Sequence, residues 1–158
     1  MRNLKYLIVP LLILFSCSND PEKNKLLEAK IDGQIYSFNG FAEKYTDYVN
    51  SQKTGYEYQV YNHDRHSFLI EAYDDTFSKV LFPFPEFDAT YVVELDGGQS
   101  KTYRAVSGRF RILGTEQGNL RGDFNFKAKN ILNPLDSVII TEGYFDIFME
   151  TSDRTFPK

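Results

Sequence analysis

Few residues in this chain have types and spacing suited to chemistry. His63-Asp64-Arg65-His66 holds both histidines, and two imidazoles beside a carboxylate could supply three ligands to zinc. Polar loop tips of this composition also arise for turn reasons alone. Asp74-Asp75 offers adjacent carboxylates to calcium. No EF-hand-like spacing surrounds them, so the sequence predicts a solvated strand end. One cysteine, Cys17, stands near the N-terminus; a lone thiol leaves no internal disulfide and no paired-thiolate metal site. No G-x-S-x-G elbow and no Gly-rich phosphate loop occurs. Paired acids of the glycosidase kind depend on a spatial separation that spacing along the chain does not give. The expectation is a non-enzymatic protein without a cofactor, with a hydrolase using the His63/His66 region as an alternative.

Tyr45, Tyr48, Tyr56, Tyr58 and Tyr61 form a dense aromatic group. Amphipathic rings at a surface can contact a glycan, a peptide or an envelope protein. In a strand, Tyr56 and Tyr58 point opposite to Tyr61, so one of the two sides must belong to a core or a second sheet. Net charge is −4, and about −6 once Arg2 and Lys5 leave with a leader. With no basic cluster to neutralise phosphates, nucleic acid is not an expected partner.

The N-terminus bears on location. Arg2 and Lys5 precede an apolar run of about ten residues, Tyr6 to Phe15. That is short of the roughly 20 residues needed to span a membrane and has the form of a secretory signal. Leu14-Phe15-Ser16-Cys17 resembles the lipobox of bacterial lipoproteins. The resemblance implies cleavage before Cys17, a diacylglycerol group on its sulfur and acylation (palmitate or similar) of the new amino group; two or more chains anchor stably. Ser18-Asn19-Asp20-Pro21-Glu22 reads as a tether. It is similar to the acidic stretch of surface-exported Bacteroidota lipoproteins, which implies an outer-membrane location, with the cell surface favoured over the periplasmic face. The expected division is a signal over 1–16, lipidated cysteine and tether over 17–25, and one β-domain over 26–158.

Elements able to position the candidate residues follow from alternation. From Leu26 onward, apolar and polar residues alternate between Gly, Asp and Asn punctuation, the mark of antiparallel strands. In LLEAKIDGQIYSF, Asp32-Gly33 suits a two-residue type I′ turn, which pairs Ala29 with Tyr36 and Leu27 with Phe38. Strands are predicted near Tyr56–Asn62 and Ser67–Tyr73, and a further hairpin turns at Asp96-Gly97-Gly98. The proline-bearing FSKVLFPFPEFD reads as a connection across the sheet edge. Residues 41–54 are ambiguous, either a short helix or a loop.

Three later segments share one form: Gly108-Arg109-Phe110-Arg111-Ile112, Gly122-Asp123-Phe124-Asn125-Phe126 and Gly143-Tyr144-Phe145-Asp146-Ile147. Each places Gly, Phe and a second apolar residue on one side and polar residues on the other. A three-residue loop Glu116-Gln117-Gly118 would set Phe110 opposite Phe124, Gly108 opposite Phe126 and Ile112 opposite Gly122, covering glycines with large neighbours. The prediction is an all-β, antiparallel β-sandwich of about eight to ten strands. A lipocalin-like closed barrel carrying a small hydrophobic ligand is the alternative. NLRGDFNFKAKN and SVIITEGYFDIFM, with the earlier AKIDGQIYSF, resemble a family of small Bacteroidota lipoproteins classed as a domain of unknown function. The resemblance implies an exported all-β domain and brings no catalytic residues.

Overall fold

The computed structural model describes residues 25–76 and 78–157. The expected signal, the tether and Cys17 lie outside the described residues. Ten strands form, in line with the predicted number: β1 (Lys25–Ile31), β2 (Gln34–Asn39), β3 (Phe41–Val49), β4 (Gln52–Tyr61), β5 (His66–Asp74), β6 (Leu81–Pro83), β7 (Phe87–Glu94), β8 (Ser100–Glu116), β9 (Asn119–Asn130) and β10 (Ser137–Phe156). No helix is present among the described residues.

Pairing runs β2–β1–β10–β3–β4–β5–β7–β8–β6, with β9 between β8 and β10. The two longest strands, β8 with 17 residues and β10 with 20, change partner part-way along one edge. β8 pairs first with β7 and then with β6, while β10 pairs first with β1 and then with β3. Bulges between Ala105 and Ser107, Ile112 and Gly114, and Ile140 and Gly143 interrupt these ladders. Extra residues of this kind bend a strand and let it pass from one layer to the next. The result is a β-sandwich whose layers belong to one hydrogen-bonded sheet. All pairs are antiparallel except β10 with β3.

The space between the layers is filled. Phe82, Phe110, Phe124, Phe145, Leu27, Ile70, Leu120, Ile140 and Ile147 are fully buried in one core. Phe110 stacks on Phe145, and Phe68 meets both Phe124 and Phe126 edge-on. The apolar space that a closed-barrel carrier needs is therefore occupied by side chains.

Local chemistry explains the first hairpin. Asp32 and Gly33 take positive φ values of 47° and 88°, and Leu27 faces Phe38 while Ala29 faces Tyr36 as expected. The β8–β9 register also has the expected partners, through a different device. Glu116 pairs with Asn119, so the turn has two residues, Gln117 and Gly118, and the bulge before Gly114 restores Ile112 to Gly122. A Cβ on Gly143 would lie 2.5 Å from the Phe124 ring, and one on Gly122 would lie 2.2 Å from Phe145 Cζ. A phenyl ring therefore covers each of these glycines, and the cover for Gly122 comes from β10 and not from Ile112.

Two readings need correction. Residues 41–54 are neither helix nor loop but β3 and the start of β4, a strand made by its partners β10 and β4 and not by its own alternation. Leu81–Pro83 is a short edge strand on β8, with Phe82 buried in the core, before a cis Phe84–Pro85 bond.

Candidate functional site

His63, Asp64 and His66 are not brought together. His63 packs against the Phe41 and Tyr61 rings on the outer side of the sheet. His66 turns to Tyr36 and to the Tyr91 hydroxyl. Asp64 accepts from Asn62 Nδ2 at 3.2 Å. Buried Asn62 organises this loop: its Oδ1 accepts from Phe68 N at 2.7 Å and its Nδ2 donates to His66 O at 2.8 Å. Among the described residues, no group of three His, Cys, Asp or Glu side chains has metal-binding geometry.

Asp74 is not a solvated strand end. It is 1% exposed. Its carboxylate accepts from Thr76 N at 2.9 Å, Thr76 Oγ1 at 2.8 Å and Lys79 N at 2.9 Å. The carboxylate ties down the chain leaving β5 by satisfying two of its backbone amides and a hydroxyl.

The five tyrosines divide as alternation required. Tyr58 is buried and Tyr56 packs against the core. Lys44 Nζ lies 3.5 Å from the Tyr56 ring centroid and Lys53 Nζ lies 3.9 Å from it. Burial pushes the Tyr58 hydroxyl up to about 12. Tyr48 is half-buried at the end of β3, paired with Lys53 and Thr155. Tyr45 and Tyr61 share the outer face, where both hydroxyls donate to the Glu43 carboxylate. Burial and the Glu43 bond raise Tyr61 to about 12.

Around those two tyrosines the outer face of β3, β4, β5 and β7 carries residues that alternation and motifs do not single out. Glu43, Gln59, Glu71 and Asp88 lie in one cross-strand row. Gln59 Nε2 donates to Glu57 at 2.6 Å and to Glu71 at 3.1 Å, bridging two carboxylates. Arg154 binds Asp47 at 2.9 Å and Glu57, and its guanidinium lies 4.2 Å from the Tyr45 ring centroid. Arg104 pairs with Asp88. Glu71 forms no ion pair among the described residues.

The neighbouring acids are set differently. Burial pushes Glu57 up, but hydrogen bonds from Arg154 and Gln59 outweigh it and hold the group below the usual glutamate range. Burial, then Glu57 and Asp88, raise Glu71.

Aromatic rings border this row. Phe41 stacks on Tyr61 on one side. On the other, Tyr73 lies over Gly55 and donates to Thr54 O at 3.2 Å. Tyr73 is 45% exposed, and Phe84 nearby is 41% exposed. Two depressions adjoin along the face. One of about 440 Å³ includes Gln59, Tyr61 and His63, and the other of about 500 Å³ includes Glu71, Tyr73, Phe84, Asp88 and Arg104. Gln59 and Glu71 are cross-strand partners, so the two depressions meet there. In the sequence these charged residues simply alternate with apolar ones. The signal that distinguishes them, acids and amides between exposed rings, emerges only once β3, β4, β5 and β7 are side by side.

Comparison with known proteins finds no matching family model, no matching curated protein and no matching solved structure.

Proposed function

We propose that this protein is a lipid-anchored, non-enzymatic binding module of the bacterial outer membrane. Its outer β3–β4–β5–β7 face would engage an extended glycan. The anchor rests on Leu14-Phe15-Ser16-Cys17 and the charged flanks of the leader. The ligand reading is carried by the two adjoining depressions, in which Gln59, Glu71, Asp88 and Arg104 lie between the Tyr61 and Tyr73–Phe84 rings. Planar amide, carboxylate and guanidinium groups both donate to and accept from ligand hydroxyls, and exposed rings offer apolar faces with polar tips. Elongation across the strands suits a chain more than a single small molecule. The divergent Glu57 and Glu71 are held by Arg154 and Gln59 in a structural network. The separate placement of His63 and His66 gives a hydrolase no shared acid–base pair.

Two experiments test the proposal. Mass spectrometry of the native protein is expected to find an N-terminal, diacylglyceryl-modified Cys17; a bare sulfur with the leader retained overturns the anchor. A soluble form beginning at Lys25, titrated with oligosaccharides and with peptides, is expected to bind an oligosaccharide. Tyr61→Ala and Arg104→Ala should each weaken that binding about tenfold, as expected for loss of one ring contact or charge-assisted hydrogen bond. Binding to peptides alone, or binding indifferent to both substitutions, overturns the glycan reading.

A further inference from the structure

A second concavity lies on the other side of the sheet, beside the Asp32-Gly33 turn. There the Asp32-Gly33 turn approaches the start of β5 and the paired ends of β7 and β8. The turn is fixed to β10, since Asp32 N donates to Ile139 O at 2.9 Å and Ile139 N donates to Asp32 Oδ1 at 2.9 Å. The recess, of about 280 Å³, is lined by Gln34, Tyr36, His66, Tyr91, Tyr103 and Asp136 with a few aliphatic groups. Tyr91 and Tyr103 are 3% and 6% exposed, yet both belong to its wall. Buried tyrosines normally keep the hydroxyl hydrogen-bonded. Tyr91 does so with His66 Nδ1, and Tyr103 donates to Asp136 Oδ2 at 3.1 Å. Tyr36 donates to Gln34 Oε1 at 2.9 Å, and its ring lies 4.7 Å from that of His66. These polar side chains line one recess, each with hydrogen-bonding capacity beyond the contact it makes.

Charge narrows the ligand class. No Lys or Arg lines the recess, while Asp32 and Asp136 do, so an anion would meet only like charge. Both carboxylates are already engaged: Asp32 by the Ile139 amide, and Asp136 by Lys101 Nζ at 2.9 Å and by Tyr103. Lys101 offsets the Asp136 charge, while Asp32 keeps its own beside the amide bond and disfavours an anion. Burial, and secondarily Arg65, lowers the His66 pKa and favours the neutral imidazole. A neutral imidazole, tyrosine hydroxyls and an amide present donors and acceptors together, as a hydroxyl-bearing ligand requires. The volume is at the small end for ligand sites.

We propose that this end recess binds a small neutral polyol, about the size of one sugar ring, through the Tyr91–His66 pair and the Tyr36 and Tyr103 hydroxyls. The site is separate from the outer face and does not depend on what that face binds.

The test is an NMR titration of the histidine ring nitrogens in the full chain with myo-inositol and D-glucose, and with D-glucuronate as an anionic counterpart. A neutral polyol should shift His66 saturably while His63, on the outer side, stays in place. D-glucuronate should bind about tenfold more weakly. Tyr91→Phe keeps the ring, removes the hydroxyl and should weaken binding about tenfold, the value of one hydrogen bond. If that variant fails to fold, Gln34→Ala, on the exposed rim, should weaken binding at least severalfold. An unmoved His66 with both neutral probes overturns the proposal. An equal response to D-glucuronate, or affinity unchanged in the folded variant, also overturns it.

Discussion

The outer faces of two parts of the sheet use the same residue types to different ends. Across β8, β9 and β10, charges meet opposite charges on the next strand. Arg111 pairs with Asp123, Arg109 approaches the same carboxylate at 3.6 Å, and Arg121 reaches both Glu116 and Asp146. Beneath them, phenyl rings cover bare glycines. Across β3, β4, β5 and β7, carboxylates stand beside other carboxylates, bridged by Gln59 and shared by Arg154, and rings stand exposed at the margins. The first part is self-satisfied and serves folding. The second keeps unspent hydrogen-bonding capacity and like-charge tension at a concave surface, where a ligand could use it. Even the self-satisfied part has one exception, since buried Asp123 Oδ1 has no hydrogen-bond partner.

If that division is right, the largest effects belong to the core under β8–β10. Phe124→Ala should cost about 3–5 kcal/mol in urea unfolding. Gly143→Ala should cost about 2 kcal/mol, because its Cβ would press on the Phe124 ring. In a Phe124→Leu background the glycine substitution should cost measurably less, since the two positions share one contact. A neutral Gly143→Ala would remove the glycine–phenyl cover as an organising feature.

Smaller effects separate the two outer faces. Arg154→Leu strands the nearly buried Asp47 beside Glu57 and should cost about 2 kcal/mol, with little salt dependence. Arg121→Ala removes exposed pairs and should cost about 0.5 kcal/mol or less, shrinking further in high salt. Equal costs and equal salt responses would make the contrast between the faces empty.

The smallest effects, and the most diagnostic, are pH-dependent. Glu71 has a raised pKa in the folded state, so it favours folding when protonated, and that contribution is lost as pH rises through its folded value. Glu71→Gln should therefore be slightly more stable than the parent at pH 7, with the gap closing on acidification to about pH 4. Glu57 has a lowered pKa, so its contribution is present above the ordinary value and is lost as pH falls through the lower, folded one. Glu57→Gln should destabilise at pH 7, with the difference vanishing in acid. After screening, each difference should be about 0.5 kcal/mol. The same sign for both substitutions in denaturation at pH 4 and pH 7 would contradict the assignment.

Much of the architecture was legible where its cause is local. Asp32-Gly33 fixes its own hairpin because positive φ at two successive residues permits few other conformations. Alternation separated Tyr56 and Tyr58 from Tyr61, and Phe110, Phe124 and Phe145 from their polar neighbours. The β8–β9 partners were reached through an assumed three-residue loop, whereas the chain combines a two-residue turn with a later bulge. Two local irregularities cancel in register, so partner identities alone do not reveal them. Asp74 was misread because a carboxylate at a strand end looks the same in sequence whether it faces water or turns inward to three donors of the following chain.

By itself, then, the sequence determined the strand content, the β1–β2 turn and the inward face of the late strands, all set by conformational preference and side-chain alternation over a few residues. The tertiary structure decided the parallel pairing of β3 with β10, the Arg154 contacts with Asp47 and Glu57, 107 and 97 residues away in the chain, the Glu43–Gln59–Glu71–Asp88 row and the end recess. Those features depend on which strands become neighbours, and that choice is made by the shared core and the bent strands β8 and β10, not by any segment's own preference.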